Sequence, residues 1–229
     1  MVTVIIPALN KQRTIAQVVR FCLAEPFVNE VIVVDDQSND KTRKRTIVAG
    51  ANVIISEKRG KGFSMKEEIL SASNEILVFL DADIYPYPDD SIKKLIKPLL
   101  KKKYDFVKSS FARNAGKITE LVAKPLLNIF YPELSSFQQP LSGMIASRKS
   151  FLAKIDFFHD YGVDIGILID MFSMQTCIKE VNLGYVKNKS KPWQVLGKMS
   201  GEVAIAVVKK ATNYNIINMK KYLENGTTF

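Results

Sequence analysis

Cysteine and histidine are scarce in this chain: two and one, respectively, in 229 residues. Cys22 and Cys177 stand far apart, without the spacing of a zinc site. Their neighbours are apolar, so both are expected as buried free thiols in a reducing cytoplasm. His159, the lone histidine, is expected to be structural or exposed rather than a ligand. No run of about 18 apolar residues occurs, which excludes a membrane-spanning helix. The N-terminus runs straight into a strand pattern, so no signal peptide is expected. Zinc-finger spacing and aromatic RNA-binding signatures are both missing, which argues against a nucleic-acid partner.

What remains is a core-forming chain with an excess of cations. Apolar residues make up 47%, enough for one large domain or a domain with an appended subdomain. The net charge is +10, from 33 basic and 23 acidic residues. Such a balance favours anionic partners: nucleic acid, an anionic membrane surface or phosphorylated small molecules. Lys93, Lys94, Lys97 and Lys101 to Lys103 read as a solvated helix face. Lys187, Lys189 and Lys191 alternate in a loop and suggest a function.

Strand and helix patterns alternate along the first half. Val2 to Ile6, Val31 to Val34, Asn52 to Ile55 and Ile76 to Leu80 read as strands. Residues 12–23, 41–49 and 61–73 read as helices between them. This order predicts an α/β fold with a mostly parallel central sheet covered by helices on both faces. Further on, Ser142 to Ser147 and Asn182 to Val186 read as short strands. Helices are expected over residues 195–210 and 216–224; their apolar faces suit either sheet packing or a dimer contact.

Asp81-Ala82-Asp83, directly after the apolar run ending at Leu80, carries the strongest chemical signal. Ligands of parallel α/β sheets bind beyond the carboxyl ends of the strands. Residues two apart in extended backbone face one side, so both carboxylates can face one hard cation. Oxygen ligands suit Mg²⁺ or Mn²⁺, which commonly bridge to a substrate diphosphate. The alternative is a pair of turn-capping aspartates. Asn10, Asp35 and Asp36 gather at the same predicted edge, which a purely structural sheet does not require.

Gly60-Lys61-Gly62 opens a helix, where close backbone approach and the helix N-terminus favour an anion that Lys61 can reach. Gly116-Lys117-Ile118-Thr119 precedes an apolar stretch. It is either a phosphate-holding helix start or an ordinary one. Asp164, between Gly162 and Gly166, stands near another helix start, where a carboxylate is favoured in any case.

Together these residues resemble the nucleotide-sugar glycosyltransferases of the GT-A fold. The likeness is carried by Pro7-Ala8-Leu9-Asn10, the run from Val34-Asp35-Asp36-Gln37-Ser38 to Thr42, Gly60-Lys61-Gly62 and Asp81-Ala82-Asp83. The second half is similar to the glucosyl-3-phosphoglycerate synthases, in Ile118 to Leu127, Gln139 to Gly143, Tyr161 to Gly166, Ile169-Asp170 and Val181 to Gly184. The resemblance covers about Val2 to Ala211. It implies a single GT-A domain, with residues 1–110 binding the nucleotide sugar and residues 111–229 binding the acceptor. It implies retaining transfer of a hexose, most readily glucose, from a UDP- or GDP-sugar to 3-phosphoglycerate, with Mg²⁺ or Mn²⁺ as cofactor. Asp83, Asp81 and Asn188 would hold the metal. Pro7, Ala8, Leu9, Asn10, Asp35, Asp36, Ser38, Ala82 and Lys61 would hold the donor. Gly116, Lys117, Thr119, Ser190 and Lys191 would take the acceptor phosphate, and Asp164 would stand beside the reacting sugar. Partners are thus a nucleotide-diphospho-sugar and a phosphorylated small molecule, without nucleic acid or membrane, and a homodimer is compatible.

Three positions depart from the family pattern. Asn188 stands where the family has a metal-binding histidine, Lys11 where it has a glutamate near the nucleoside, and Asp164 where it has a glutamate. These bear on metal affinity, donor base and sugar. A mannosyl-3-phosphoglycerate synthase and a polyprenyl-phosphate sugar transferase of the same fold are the nearest alternatives. A non-catalytic nucleotide-sugar or RNA binder is the alternative of another class.

Overall fold

The computed structural model describes residues 1–57, 59–112, 116–187 and 192–216. Among the described residues seven strands form one sheet: β1 (Val2–Ala8), β2 (Val28–Asp35), β3 (Asn52–Ile55), β4 (Ile76–Phe79), β5 (Phe106–Ala112), β6 (Ile145–Arg148) and β7 (Ile178–Tyr185). Their order across the sheet is β3-β2-β1-β4-β6-β5-β7. All pairings are parallel except those of β6, which runs antiparallel to β4 and β5. The helices are α1 (Ile15–Leu23), α2 (Thr42–Ala49), α3 (Lys61–Ser71), α4 (Ser91–Leu100), α5 (Lys124–Phe130), α6 (Lys149–Leu152), α7 (Val163–Ser173) and α8 (Trp193–Asn213).

The apolar runs explain the central strands. Helices cover both faces of the sheet, so a strand such as β1 is apolar at nearly every position. Val4 and Ile6 pack into one core with Ile15, Val18, Ile92 and Leu95. Ile5, on the opposite face, packs with Met65, Ile69, Leu127 and Val163. The helices supply matching stripes. Ile15, Val18, Val19 and Cys22 of α1, and Ile92, Leu95, Ile96 and Leu99 of α4, follow the i, i+3, i+4, i+7 spacing of one buried face. That spacing leaves Lys93 and Lys97 exposed, as the sequence predicts.

The structure differs from the sequence-based reading at two points. β5 was not expected at all: a lysine and two serines follow Phe106-Val107, and a run of surface lysines precedes them. Yet β5 lies inside the sheet, with Lys108 and Ser109 fully buried. Cys22 is buried as expected, but Cys177 is exposed. Its backbone pairs with that of Asp105 just before β5 and β7 begin, so it belongs to the sheet margin rather than the core. The helix over residues 195–210 is α8, whereas residues 217–224 lie outside the described residues. Among the described residues no helix is long and apolar enough to cross a membrane.

Topology makes the site. The chain leaves β1 toward β2 and β3, then returns to place β4 on the other side of β1. A crevice opens beyond the strand ends at such a switch point. The C-terminal ends of β1, β2, β4 and β5 share this edge. Because β6 is reversed, the segment entering it, Ser142-Gly143, comes to the same edge.

Candidate active site

A cleft of about 630 Å³ opens at this edge. Its walls bring together Pro7, Ala8, Leu9, Asp36, Lys61, Asp81, Ala82, Asp83, Gly116, Lys117, Thr119 and Asp164. Most residues predicted for the site therefore meet in one cavity, although Asp164 lies 103 positions from Lys61 in sequence. Asn188, Ser190 and Lys191 lie outside the described residues.

The floor is a charge cluster. The Lys61 ammonium donates to both Asp164 carboxylate oxygens, at 2.9 and 2.8 Å, and lies 3.5 Å from Asp81 Oδ1. Burial pulls the Lys61 pKa down, but the Asp164 and Asp81 carboxylates outweigh it and hold the ammonium above its ordinary pKa. The Asp81 carboxyl is pushed up, first by burial. Lys61 opposes that rise, and the neighbouring charges of Asp83 and Asp164 add to it. On the opposite side, Lys11 Nζ stands 2.8 Å from Asp83 Oδ2.

The backbone around the two aspartates is bolted in place. Tyr87 donates its hydroxyl to the Asp81 carbonyl at 2.8 Å, and Thr14 donates to the Ala82 carbonyl at 2.6 Å. Tyr87 in turn stacks on Phe21 of α1, with ring centroids 5.3 Å apart. The expectation that Asp81 and Asp83 share a face through extended backbone is corrected in detail. β4 ends at Phe79, and the pair sits in the turn that follows. Both side chains still line the cleft.

The turn after β2 is held from within. Asp35 is fully buried; its carboxylate accepts from the Ser38 backbone N–H at 3.0 Å and from the Arg43 guanidinium at 3.1 and 3.0 Å. The Asp36 carboxylate accepts from the Gly60 N–H at 2.9 Å, tying the β2 turn to the loop before α3. Asn10 accepts from the Asn39 N–H at 3.0 Å, and Ser38 accepts from the Asn10 N–H at 2.9 Å. Asp35, Ser38 and Asn10, predicted for the donor site, do not line the cleft themselves; they hold the turn that carries Asp36, which does.

Two of the glycines leave room at the cleft floor and behind it. A Cβ on Gly62 would come within 1.6 Å of the Phe158 carbonyl oxygen. A Cβ on Gly143 would enter the floor itself, 2.5 Å from Lys61 Nζ and 2.7 Å from Asp81 Oδ1. On the far wall, Lys117 places its ammonium 3.9 Å from the Trp193 ring centroid, which holds the cation at the cleft.

Sequence reasoning missed Lys108. From β5 it donates to the Ser142 carbonyl at 2.9 Å and the Asp164 carbonyl at 3.0 Å, directly behind the floor. Burial pulls its pKa down to about 8, against the pull of Asp164 and with the help of Lys61. Beside it, the Ser109 and Ser142 hydroxyls bond at 2.6 Å. The available signal was a lysine following Phe106-Val107, obscured by the exposed lysines before it. Arg43 was missed as well. His159, exposed as expected, also lines the cleft.

This arrangement, an acidic turn and a lysine at a topological switch point, matches a known family. The model of glycosyl transferase family 2 matches residues 3–162. The chain belongs to glycosyl transferase family 2. Among individual relatives of this glycosyltransferase, the glucosyl-3-phosphoglycerate synthase of Mycobacterium tuberculosis is 35% identical, over 91% of this chain and 73% of the relative. That of Petrotoga mobilis is 31% identical, over 95% of this chain and 75% of the relative. The crystal structure of the Mycobacterium tuberculosis enzyme with Mn²⁺, uridine-diphosphate-glucose and phosphoglyceric acid superposes with a TM-score of 0.88 at 35% identity. It covers 93% of this chain and 80% of that one. The GT-A architecture expected from sequence is thereby established.

Proposed function

We propose that this glycosyltransferase moves glucose from UDP-glucose to 3-phosphoglycerate with retained anomeric configuration, aided by Mg²⁺ or Mn²⁺. The observation that carries the reading is one cleft joining Asp81, Asp83, Lys61 and Asp164 to Gly116, Lys117 and Thr119. The relatives named above support the substrates. Residues 1–110 would hold the donor and residues 111–229 the acceptor, as two halves of a single domain. Two free cysteines fit a cytoplasmic setting.

The donor set fits a hard divalent ion. Asp81 and Asp83 are both carboxylates that line one cleft, and oxygen donors of this kind suit Mg²⁺ or Mn²⁺. Among the described residues no third His, Cys, Asp or Glu completes a cluster. Mg²⁺ commonly takes one or two carboxylates plus substrate phosphates. Asp83 and Asp81 would hold it, with Asn188 outside the described residues as a further oxygen ligand. When bound, the ion supplies charge stabilisation to the departing diphosphate.

The chain's own groups do the rest. Pro7, Ala8, Leu9, Asp36 and Ala82 form the wall against which the nucleoside lies, and Asn10, Asp35 and Ser38 hold the turn behind it. Lys61 stays protonated and donates to the diphosphate, where charge grows as the glycosidic bond breaks. Asp164 accepts two hydrogen bonds from Lys61, so its carboxylate positions the sugar rather than serving as a free base. Lys117 and Thr119 bind the acceptor phosphate, with Gly116 allowing close approach and Ser190 and Lys191 assigned to the same task. Removal of the acceptor proton falls to the donor phosphate oxygen. Catalysis is then chiefly orientation and electrostatics.

Calorimetric titration tests the substrate assignment. UDP should bind in the presence of Mg²⁺, and 3-phosphoglycerate should bind the UDP complex. Lys117→Ala should weaken the acceptor by at least tenfold and leave UDP unchanged. Equal 3-phosphoglycerate binding by wild type and Lys117→Ala would refute the acceptor site.

A further inference from the structure

Lys11 carries a consequence for how cation and donor enter the cleft. Its backbone is fixed: the N–H donates to Thr42 Oγ1 at 2.7 Å, and the carbonyl accepts from Thr14 and Ile15 at the start of α1. Asn10 before it is left-handed, φ 53°, and pinned to Ser38 and Asn39. The backbone is therefore held, while the ammonium hangs from a flexible four-carbon tether. That ammonium forms an ion pair with Asp83, and both side chains are partly open to solvent, at 32% and 43%. Lys61 plays the same part for Asp81 but is shared with Asp164. Each carboxylate of the Asp81/Asp83 pair thus already faces an ammonium. A dication reaching Asp83 competes with Lys11 for the same carboxylate. The displaced ammonium remains tethered in the cleft, where a donor diphosphate would offer it a new anionic partner.

We infer that Lys11 is a built-in counter-ion that competes with the divalent cation for Asp83 and passes to the donor diphosphate when the cation binds. This assignment rests on the proposed cation-dependent transfer. It makes cation and nucleotide mutually supportive: whichever arrives first gives the displaced lysine or the exposed carboxylate its next partner, and the coupling acts equally in both directions. It also lets Lys11 and Lys61 retain a nucleoside diphosphate in the absence of any divalent ion.

The test is direct binding, independent of turnover. Free Mn²⁺ is followed by electron paramagnetic resonance as it is titrated into wild type, Lys11→Gln and Lys11→Glu, each with and without UDP. UDP binding is measured separately in chelator. Removing one positive charge a few ångströms from the dication should tighten Mn²⁺ by about tenfold in nucleotide-free Lys11→Gln. Lys11→Glu should tighten it further. UDP binding in chelator should weaken by about tenfold in Lys11→Gln. On an Asp83→Asn background, Lys11→Gln should bring much less tightening. Equal or weaker Mn²⁺ binding by nucleotide-free Lys11→Gln overturns the inference alone. Absence of Mn²⁺ binding in every form, even with UDP, overturns both the inference and the cation-dependent reading beneath it.

Discussion

Gly143→Ala separates the chemistry of the cleft floor from the stability of the fold. Gly143 is outside the left-handed region, so alanine costs the backbone little there. The atoms its Cβ meets are Lys61 Nζ at 2.5 Å, Asp81 Oδ1 at 2.7 Å and Asp164 Oδ1 at 3.3 Å, all at the ends of side chains. The lysine must retreat by on the order of 1 Å, a misplacement that can cost about a hundredfold in rate. Losing its charged hydrogen bond to the diphosphate costs about 1.5–3 kcal/mol, or about 10- to 150-fold. We expect kcat/KM for glucosyl transfer to fall by about 10- to 100-fold. The melting temperature should move by no more than about 2 °C, since nothing structural is lost. Lys61→Ala should cost a similar factor, and adding Gly143→Ala to it should cost little more, because both changes remove the same interaction. A Gly143→Ala enzyme within twofold of wild type would refute the placement of Lys61 in the transition state. A large fall in melting temperature would show instead that the floor is a folding element.

Asp83→Ala should abolish transfer while leaving the circular dichroism spectrum and melting temperature unchanged, because this side chain is partly exposed; full activity would sink the metal assignment. Lys108→Met should lower stability by about 1–3 kcal/mol for each of the two carbonyls left without a donor, measured by urea titration. Lys108 also gives a pH signature. Its folded pKa lies near 8, below the 10.5 of an ordinary lysine. Between these values the unfolded chain binds more protons, so wild-type stability should rise with pH there relative to Lys108→Met. A flat difference from pH 7.5 to 10 would contradict the assigned environment. Asp170→Ala, remote from the floor, should cost about 3–5 kcal/mol by leaving the buried Lys210 ammonium without its carboxylate at 2.7 Å. Calorimetric unfolding would show it.

The legibility of the chain followed the chemistry of burial. β1, β2 and β4 are buried on both faces and announce themselves as apolar runs, and the acidic turns follow at the strand ends where they were expected. β5 was illegible because it carries Lys108 and Ser109, which are buried through hydrogen bonds that no local pattern reveals. The cleft residues were readable as types: two aspartates, a lysine between glycines, a glycine before Lys117. What joins them was not. The contact between Lys61 and Asp164 depends on the crossover that places β4 beside β1 and on the reversal of β6. Both are long-range choices of topology. The pairing of Lys11 with Asp83 likewise emerges only when the first and fourth strands lie side by side.

The most direct test of the account is the transfer reaction. Purified protein is incubated with UDP-glucose and 3-phosphoglycerate, with Mg²⁺ or with chelator, and the products are separated by anion-exchange chromatography. The account predicts a glucosylated phosphoglycerate that forms with Mg²⁺, falls sharply in chelator and is absent with Asp83→Ala. Hydrolysis of UDP-glucose without glucosylation of the acceptor, or no donor turnover under any condition, would contradict it.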